Sequence, residues 1–358
     1  MSVFVIAEAG VNHNGDDGLA LRLVEAAAQA GADAVKFQTY RAEDLATPQA
    51  PTAAYQQRHV GTQETQLTML QRLQLSAAAH YKIIDRCRDR QIRFLSTPFD
   101  LGSLEFLTND LRVDMLKIGS GDLTNAPLLL AAASSGLPII LSTGMAALAE
   151  IEQALGVLAF GYAPPSGDRP CHASFKRAFA SAAGNAALKA KVTLLHCTTE
   201  YPAPEAEANL RAMETMRQTF SLAVGLSDHT PGIAVATAAV ALGAPVIEKH
   251  LTIDRSLPGP DQAASLEPDD FSALVASIRS VEAALGDGIK KPSPNELKNV
   301  AVARKSLVAR RAISKGEAFS PENLTTRRPG DGVSALDYFE WLGRVASRDY
   351  SAGEKIVS

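Results

Sequence analysis

The sequence predicts an α/β protein: a (β/α)₈ TIM barrel followed by a small β-rich domain. Three observations lead there. Eight short β-rich apolar runs recur between residues 3 and 251, helix-patterned stretches separate them, and a polar, proline-bearing stretch at 287–299 precedes a tail of different texture. A doubly wound open sheet is the alternative arrangement of alternating strands and helices, but it usually needs fewer strands.

The runs are "VFVIAEA" (3–9), "DAVKFQT" (33–39), "IRFLST" (92–97), "VDMLKIGS" (113–120), "PIILST" (138–143), "VTLLHCT" (192–198), "SLAVGLS" (221–227) and "PVIEKHL" (245–251). Several are almost continuously apolar, as parallel strands covered on both faces should be. Between them, "DGLALRLVEAAAQAGA" (17–32) carries apolar residues at helical spacing and stops at glycine. Residues 268–286 repeat the pattern: Phe271, Leu274, Val275, Ile278, Val281 and Leu285 make one face, Asp269 and Asp270 sit in the first turn, and Gly286 ends it. Two connections are long. Residues 40–75 follow the second strand on the ligand side, where a lid is expected, and 160–190 lead into the sixth strand as a surface loop on the far side. The expected division is a catalytic barrel over 1–286, a linker over 287–300 and a small domain over 301–358.

Apolar residues make up 46% and charged residues 21% of the chain, as in soluble globular proteins. A net charge of −4 argues against nucleic acid as a partner. From residue 301 onward, 10 basic residues stand against 7 acidic ones, so the tail is +3 and the remainder −7. The opening "MSVFVIAEAG" has no basic leader region, and no run is long enough to span a membrane. Three unpaired cysteines, Cys87, Cys171 and Cys197, suit a reducing cytoplasm and small buried positions.

Barrel enzymes place their chemistry at the carboxyl ends of the strands. Those ends supply Glu8, Lys36, Ser96 with Thr97, Lys117 with Ser120, Ser142 with Thr143, His196, Ser227 with Asp228 and His229, and Glu248 with Lys249 and His250. A purely structural barrel needs no polar residue at every strand end, so the pattern points to an enzyme. Lys36 and Lys117, among the serine and threonine hydroxyls, suit a small polyanion bearing phosphate and carboxylate. His229 and His250 end successive strands, and two imidazoles there suit a divalent transition metal, with Glu8 or water as a third ligand. The residues alone therefore predict a metal-assisted lyase or transferase acting on a phosphorylated small acid.

The same residues carry a resemblance. "IAEAGVNHNG", "VKFQT", "STPFD", "KIGSGD", "LSTGM", "LHCTTEYPAP", "GLSDHTPG", "IEKHLT", "PGPDQAAS" and "RRPGDG" follow one another in order from end to end. Together they resemble the sialic acid synthase (N-acetylneuraminate synthase) family, including its legionaminic acid relatives. The resemblance implies a TIM barrel with an antifreeze-like (SAF) domain. The implied reaction condenses phosphoenolpyruvate with an open-chain 2-acetamido-mannose-type sugar, giving a nine-carbon 2-keto acid and phosphate. It implies manganese, or else magnesium or cobalt, on His229 and His250. Lys36, Lys117, Ser120, Ser142 and Ser227 would bind phosphoenolpyruvate, with Thr97 nearby. Glu8, Gln38, Tyr201 and Asp261 would face the sugar and metal.

By the same resemblance Asp122 of "KIGSGD" would be the general base for water, one methylene shorter than the glutamate common in relatives. Gln262 would replace a frequent histidine. N-acetylmannosamine is the sugar the sequence favours, with 2,4-diacetamido-2,4,6-trideoxymannose as the alternative. Arg328 of "TRRPGDG" would reach the sugar's acyl-amino group of a partner subunit in a domain-swapped homodimer. Two other readings compete: an aldolase acting on a phosphorylated sugar, which the C-terminal domain disfavours, and a non-catalytic antifreeze-like binder. The latter calls for a flat, weakly charged face, whereas this tail carries "ARRAISK".

Overall fold

The structure, a computed structural model, describes residues 2–52, 64–165 and 167–357. They gather into two compact units, Met1–Gly286 and Asp287–Ser358. No helix among the described residues is long and apolar enough to cross a membrane.

The first unit holds eight strands: β1 (Phe4–Gly10), β2 (Ala34–Thr39), β3 (Arg93–Pro98), β4 (Leu116–Ile118), β5 (Ile139–Ser142), β6 (Val192–Cys197), β7 (Ala223–Asp228) and β8 (Val246–His250). All pair in parallel in the order β3-β2-β1-β8-β7-β6-β5-β4, and the end strands β3 and β4 lie against each other to complete a nearly closed barrel. Alternate residues of a strand face opposite sides, and here that rule divides the molecule. Ile6, Ala34, Leu95, Ile140, Leu195 and Val246 form one apolar cluster at the same parity on their strands. The opposite parity, including Val5, Val35, Phe37, Ile118, Leu141, Val224 and Ile247, packs into the main core with the helices. The first set plugs the barrel interior. Gly225 shares that parity, and a Cβ there would fall 2.3 Å from the Val246 carbonyl oxygen and 2.9 Å from Leu195. Only glycine fits this crossing.

The helix at 268–285 has Pro268 in its first turn and ends at Gly286, whose φ is 64°. Its buried face is Phe271, Leu274, Val275 and Ile278, but Leu285 is exposed, so the packed stripe stops before the last turn. The expected surface loop at 160–190 is instead largely helical, with His172–Ala180 and Ala182–Lys191 packed on the helix Leu148–Tyr162. Its alanine-rich sequence favours helix, and the Ser181 hydroxyl caps the second segment at the Gly184 amide. The 40–75 connection carries the helices Ala42–Leu45 and Gln66–Leu73, while residues 53–63, the middle of the expected lid, lie outside the described residues.

The second unit starts with a helix, Pro294–Ala303, where a linker was expected. Ser293 and Glu296 close a capping box at its start. Strands β9 (Ser306–Ala309) and β10 (Leu324–Arg327) pair antiparallel over a small core of Leu307, Ile313, Phe319, Leu324, Tyr350 and Ile356.

Behind the barrel wall, Lys249 of β8 donates to Asp228 Oδ2 of β7 and to the Thr230 carbonyl, both at 2.6 Å, and both side chains are buried. Removing one partner leaves a buried charge uncompensated, which typically costs about 3–5 kcal/mol. Lys249→Ala should lower the stability of this unit by that order in urea unfolding. A loss below about 1 kcal/mol, the range of an exposed pair, would show that the bridge holds nothing together.

Candidate active site

The parity that is apolar deep in the barrel becomes polar at its carboxyl mouth. Ile6 gives way to Glu8, Ala34 to Lys36 and Gln38, Leu95 to Thr97, Met115 to Lys117, Ile140 to Ser142, Leu195 to Cys197, and Val246 to Glu248 and His250. Register then sets the neighbours: Glu8 lies opposite both Lys36 and His250, Gln38 opposite Thr97, and Ser227 opposite Glu248. These side chains line a cavity of about 480 Å³, together with Ser120, Asp122, Tyr201, His229 and Asp261. Thirteen of the fourteen residues expected at the site therefore converge, and the other, Arg328, belongs to the second unit.

At its floor two lysines share two carboxylates. Lys36 Nζ lies 2.6 Å from Glu8 Oε2, 3.2 Å from Thr97 Oγ1 and 3.8 Å from Glu248 Oε2. Lys117 Nζ donates to Ser142 Oγ at 2.7 Å and lies 3.5 Å from Glu248 Oε1. The Ser227 hydroxyl donates to that same Glu248 oxygen at 2.8 Å. Burial pushes the Glu8 carboxyl up to about 7, with Lys36 opposing it. Burial also opposes the charge on Glu248, but Lys117 and Lys36 outweigh it and hold that carboxyl at about 2. For Lys36 the carboxylates Glu248 and Glu8 overcome burial and raise the ammonium, whereas burial prevails at Lys117 and lowers it.

Beside this quartet stand the imidazoles, their ring centroids 5.5 Å apart and Tyr201 packed against both. Burial drives His229 down to about 4 and His250 well below the ordinary histidine value, so both rings are neutral. His229 Nδ1 donates to the Thr198 carbonyl at 2.6 Å, which leaves Nε2 with its lone pair turned toward Ser227 Oγ at 3.4 Å. His250 Nδ1 has no hydrogen-bond partner among the described residues. Neutral, oriented imidazoles with an unengaged nitrogen are what a divalent cation requires, so the pair fits a metal. No three His, Cys, Asp or Glu side chains among the described residues are grouped to hold an ion. Glu8 is committed to Lys36, so the remaining positions would fall to water or substrate.

Across the mouth, Ser120 begins a short helical turn, Ser120–Asp122, that follows β4. Its Oγ accepts from the Gly144 amide at 2.9 Å and lies 3.1 Å from Cys197 Sγ. A Cβ at Gly144 would fall 2.3 Å from Thr199 Oγ1, so the closeness of this wall requires glycine. Asp122 accepts from Asn125 Nδ2 at 2.9 Å, and burial raises its carboxyl above the usual aspartate range.

The other strand-end candidates face away. Ser96 bonds Thr39 and the Phe37 carbonyl, Thr143 bonds the Leu195 carbonyl, and His196 Nε2 bonds the Ala208 carbonyl at 2.8 Å. Gln262 is fully buried outside the cavity, and its Nε2 donates to Asn14 Oδ1 at 3.0 Å. Of the cysteines, Cys171 is exposed, because it caps the start of a surface helix and does not enter the core. Sequence reasoning assigned no role to Glu248 or Cys197. Both share the interior parity of their strands, and that signal could have found them. The apolar flank from Leu45, Met69, Leu70, Leu73 and Phe99 had no such signal, because it comes from the long connection after β2 and the end of β3.

A nearly closed (β/α)₈ barrel with ammonium, carboxylate and imidazole groups gathered inside the carboxyl ends of its strands defines an enzyme. Its family can be named as well. The chain belongs to the NeuB family, whose model matches residues 23–290, and a SAF domain model matches 304–357. It is 49% identical to the N,N'-diacetyllegionaminic acid synthase of Campylobacter jejuni, over 98% of this chain and 98% of that protein. It is 44% identical to the N,N'-diacetyllegionaminic acid synthase of Legionella pneumophila, over 100% of this chain and 94% of that one. The crystal structure of a sialic acid synthetase from Leptospira borgpetersenii in complex with citrate superposes with a TM-score of 0.66 at 34% identity, covering 84% of this chain and 90% of that chain.

Proposed function

We propose that this protein condenses phosphoenolpyruvate with open-chain 2,4-diacetamido-2,4,6-trideoxymannose and water, giving N,N'-diacetyllegionaminic acid and phosphate. Full-length similarity to two synthases of that name carries the choice of sugar. The choice departs from the N-acetylmannosamine favoured by the sequence alone. The apolar flank of the cavity supports it, since a methyl group at sugar carbon 6 loses nothing against leucine and phenylalanine. N-acetylmannosamine remains the second reading, favoured by the Leptospira structure.

Lys36 and Lys117, with Thr97, Ser120, Ser142 and Ser227, hold the phosphate and carboxylate of phosphoenolpyruvate. Glu8, Gln38, Tyr201 and Asp261 hold the sugar with its aldehyde turned toward the histidines. A divalent cation on His229 and His250, manganese in the first instance and magnesium or cobalt otherwise, supplies Lewis-acid polarisation of the aldehyde when bound. Carbon 3 of phosphoenolpyruvate bonds to the aldehyde carbon as the carbonyl electron pair moves to the aldehyde oxygen, which takes up a proton and becomes the product hydroxyl, and positive charge develops at carbon 2. Water adds there while Asp122 takes its proton. The tetrahedral intermediate then expels phosphate as its carbon 2 hydroxyl gives up its proton to the departing group, leaving the 2-keto acid. Arg328 of one protomer meets the sugar's acyl-amino group in its partner, which makes a homodimer part of the site.

Four experiments test these assignments. Purified protein with phosphoenolpyruvate, manganese and each sugar in turn should release phosphate, with the diacetamido sugar preferred in kcat/KM. Chelation should abolish turnover and manganese restore it, except in His229→Ala. Silence with both sugars ends the reading, and preference for N-acetylmannosamine promotes the second.

Asp122→Asn should lower kcat by about 10²–10⁴-fold, the usual range for a lost proton acceptor, while phosphoenolpyruvate still binds. Because burial raises the Asp122 carboxyl, wild-type kcat should fall with decreasing pH through a value above the ordinary aspartate range of about 4. A variant within threefold of wild type, or one that keeps this acid limb, removes Asp122 from the role.

Arg328→Ala should raise KM for the sugar and leave KM for phosphoenolpyruvate unchanged. Mixed with Asp122→Asn protein under subunit exchange, it should show more activity at sub-saturating sugar than either parent alone. Unchanged sugar KM, or no complementation, refutes the contact in trans.

A further inference from the structure

Glu248 is buried in the anion chamber, yet the reaction above gives it no task. Its position is unusual for a structural ion pair. Oε1 accepts the Ser227 hydroxyl at 2.8 Å and stands 3.5 Å from Lys117, while Oε2 stands 3.8 Å from Lys36 and has no hydrogen-bond partner among the described residues. Charge-assisted N–H···O contacts close to about 2.7–2.9 Å when geometry allows, as Lys36 does with Glu8 at 2.6 Å. One carboxylate is thus shared by two lysines and saturates neither. The Ser227 hydroxyl holds Oε1 at this distance from Lys117.

Such a group opposes any anion entering the chamber. An anion that takes one lysine still faces a fixed negative charge, and Glu248 retains the other lysine. A ligand with two separated anionic groups can engage both lysines at once and offset the repulsion twice. After the carbon–oxygen bond of the intermediate breaks, the phosphate that remains is again a single group beside Glu248.

We infer that Glu248 is a resident competitor for the anion site, which selects a phosphate-plus-carboxylate ligand over inorganic phosphate and expels the phosphate product. This rests on the reading of phosphoenolpyruvate as substrate. Glu248 is here a positioning counter-ion that does not touch the reacting carbons, and its signature is tighter anion binding when its charge is removed. A side chain that merely braced the fold would show the reverse.

The test is Glu248→Gln, which preserves shape and the acceptor for Ser227. Binding of phosphoenolpyruvate and of inorganic phosphate is measured by calorimetry in chelator, so that occupancy at the neighbouring His250 does not enter. Both ligands should bind the variant more tightly. Inorganic phosphate should gain about tenfold or more, in line with relief of like-charge repulsion in a desolvated site, and should gain more than phosphoenolpyruvate. Phosphate should also raise the melting temperature of the variant more than that of wild type. In turnover, KM for phosphoenolpyruvate and kcat should fall together, with product inhibition at lower phosphate. Phosphate affinity that is unchanged or weaker in the variant overturns the inference. The wild-type protein gives a second check should the variant fold poorly, since equal affinity for phosphate and phosphoenolpyruvate overturns it too. If phosphoenolpyruvate binds neither protein, the reaction reading fails, and the phosphate measurement still decides the part played by Glu248.

Discussion

Charge burial governs this barrel. Two ammonium groups can remain charged inside a dry mouth only if carboxylates accompany them, because an isolated buried ion is far costlier than a neutralised one. Lys36 meets the condition through Glu8 and Glu248. Lys117 meets it poorly, with a hydroxyl at 2.7 Å and its carboxylate only at 3.5 Å, and its ammonium is correspondingly lowered. Lys117 is therefore the less completely paired of the two ammonium groups. The pairing depends on register. Glu8 must sit level with Lys36 and His250, and Ser227 with Glu248, which fixes β1 against β2 and β8, and β7 against β8. The opposite faces of β7 and β8 hold that register with a second buried bridge, Asp228 to Lys249. Consecutive residues thus divide the labour, one bracing the wall and the next facing the cavity.

This division explains how much of the site could be seen in the sequence. The strands are legible because parallel strands under helices leave apolar runs that composition alone reveals. Their ends are legible as a polar set, but membership of the cavity is decided by parity. His196 falls on the outer parity of β6 with Leu194, and Cys197 on the inner parity with Leu195. Lys249 faces out and Glu248 in for the same reason. The strand ends alone could not distinguish Ser96 from Thr97. The first half of the strand could, since the apolar interior residues Leu95 and Val246 already set the phase. β4 is shorter than its run suggested, because Ser120–Asp122 folds into a helical turn. That turn is what brings Asp122, two residues beyond Ser120, into the mouth.

Other features had no local signal. The helices at 172–191 follow a stretch rich in proline and glycine, and that punctuation hid the alanine-rich helix former behind it. The apolar flank of the cavity comes from a connection, and connections lack the periodicity that identifies a core. Met69, Leu70 and Leu73 are themselves buried and form a separate small cluster with Val11, Tyr40 and Ala42. The flank is therefore a packed surface whose chemistry is set by residues outside the strands. A change in this connection would alter the flank while leaving the lysines, carboxylates and imidazoles of the strand ends in place. For that reason the strand-end chemistry points to a reaction class, whereas the choice of sugar has no signal at the strand ends.

The turn "RRPGDG" follows the same logic in the second unit. Gly330 lies so close to the preceding helix end that a Cβ would meet Arg304 at 2.5 Å, and its amide donates to the Ala301 carbonyl at 2.6 Å. Ser306 Oγ donates to the Pro329 carbonyl and accepts from the Gly332 amide, both at 2.8 Å. The backbone on either side of Arg328 is thus clamped to a helix end and a strand, while its side chain stays exposed and, among the described residues, has only Nε engaged, at 2.9 Å from the Ala303 carbonyl. Rigid backbone beneath a free guanidinium fork is the arrangement that lowers the entropy of binding a planar acceptor. An amide carbonyl is such an acceptor, and an acylated amino sugar supplies one. The linker-like start of this unit serves the same end, because its capped helix, Pro294–Ala303, is the surface against which the turn is held.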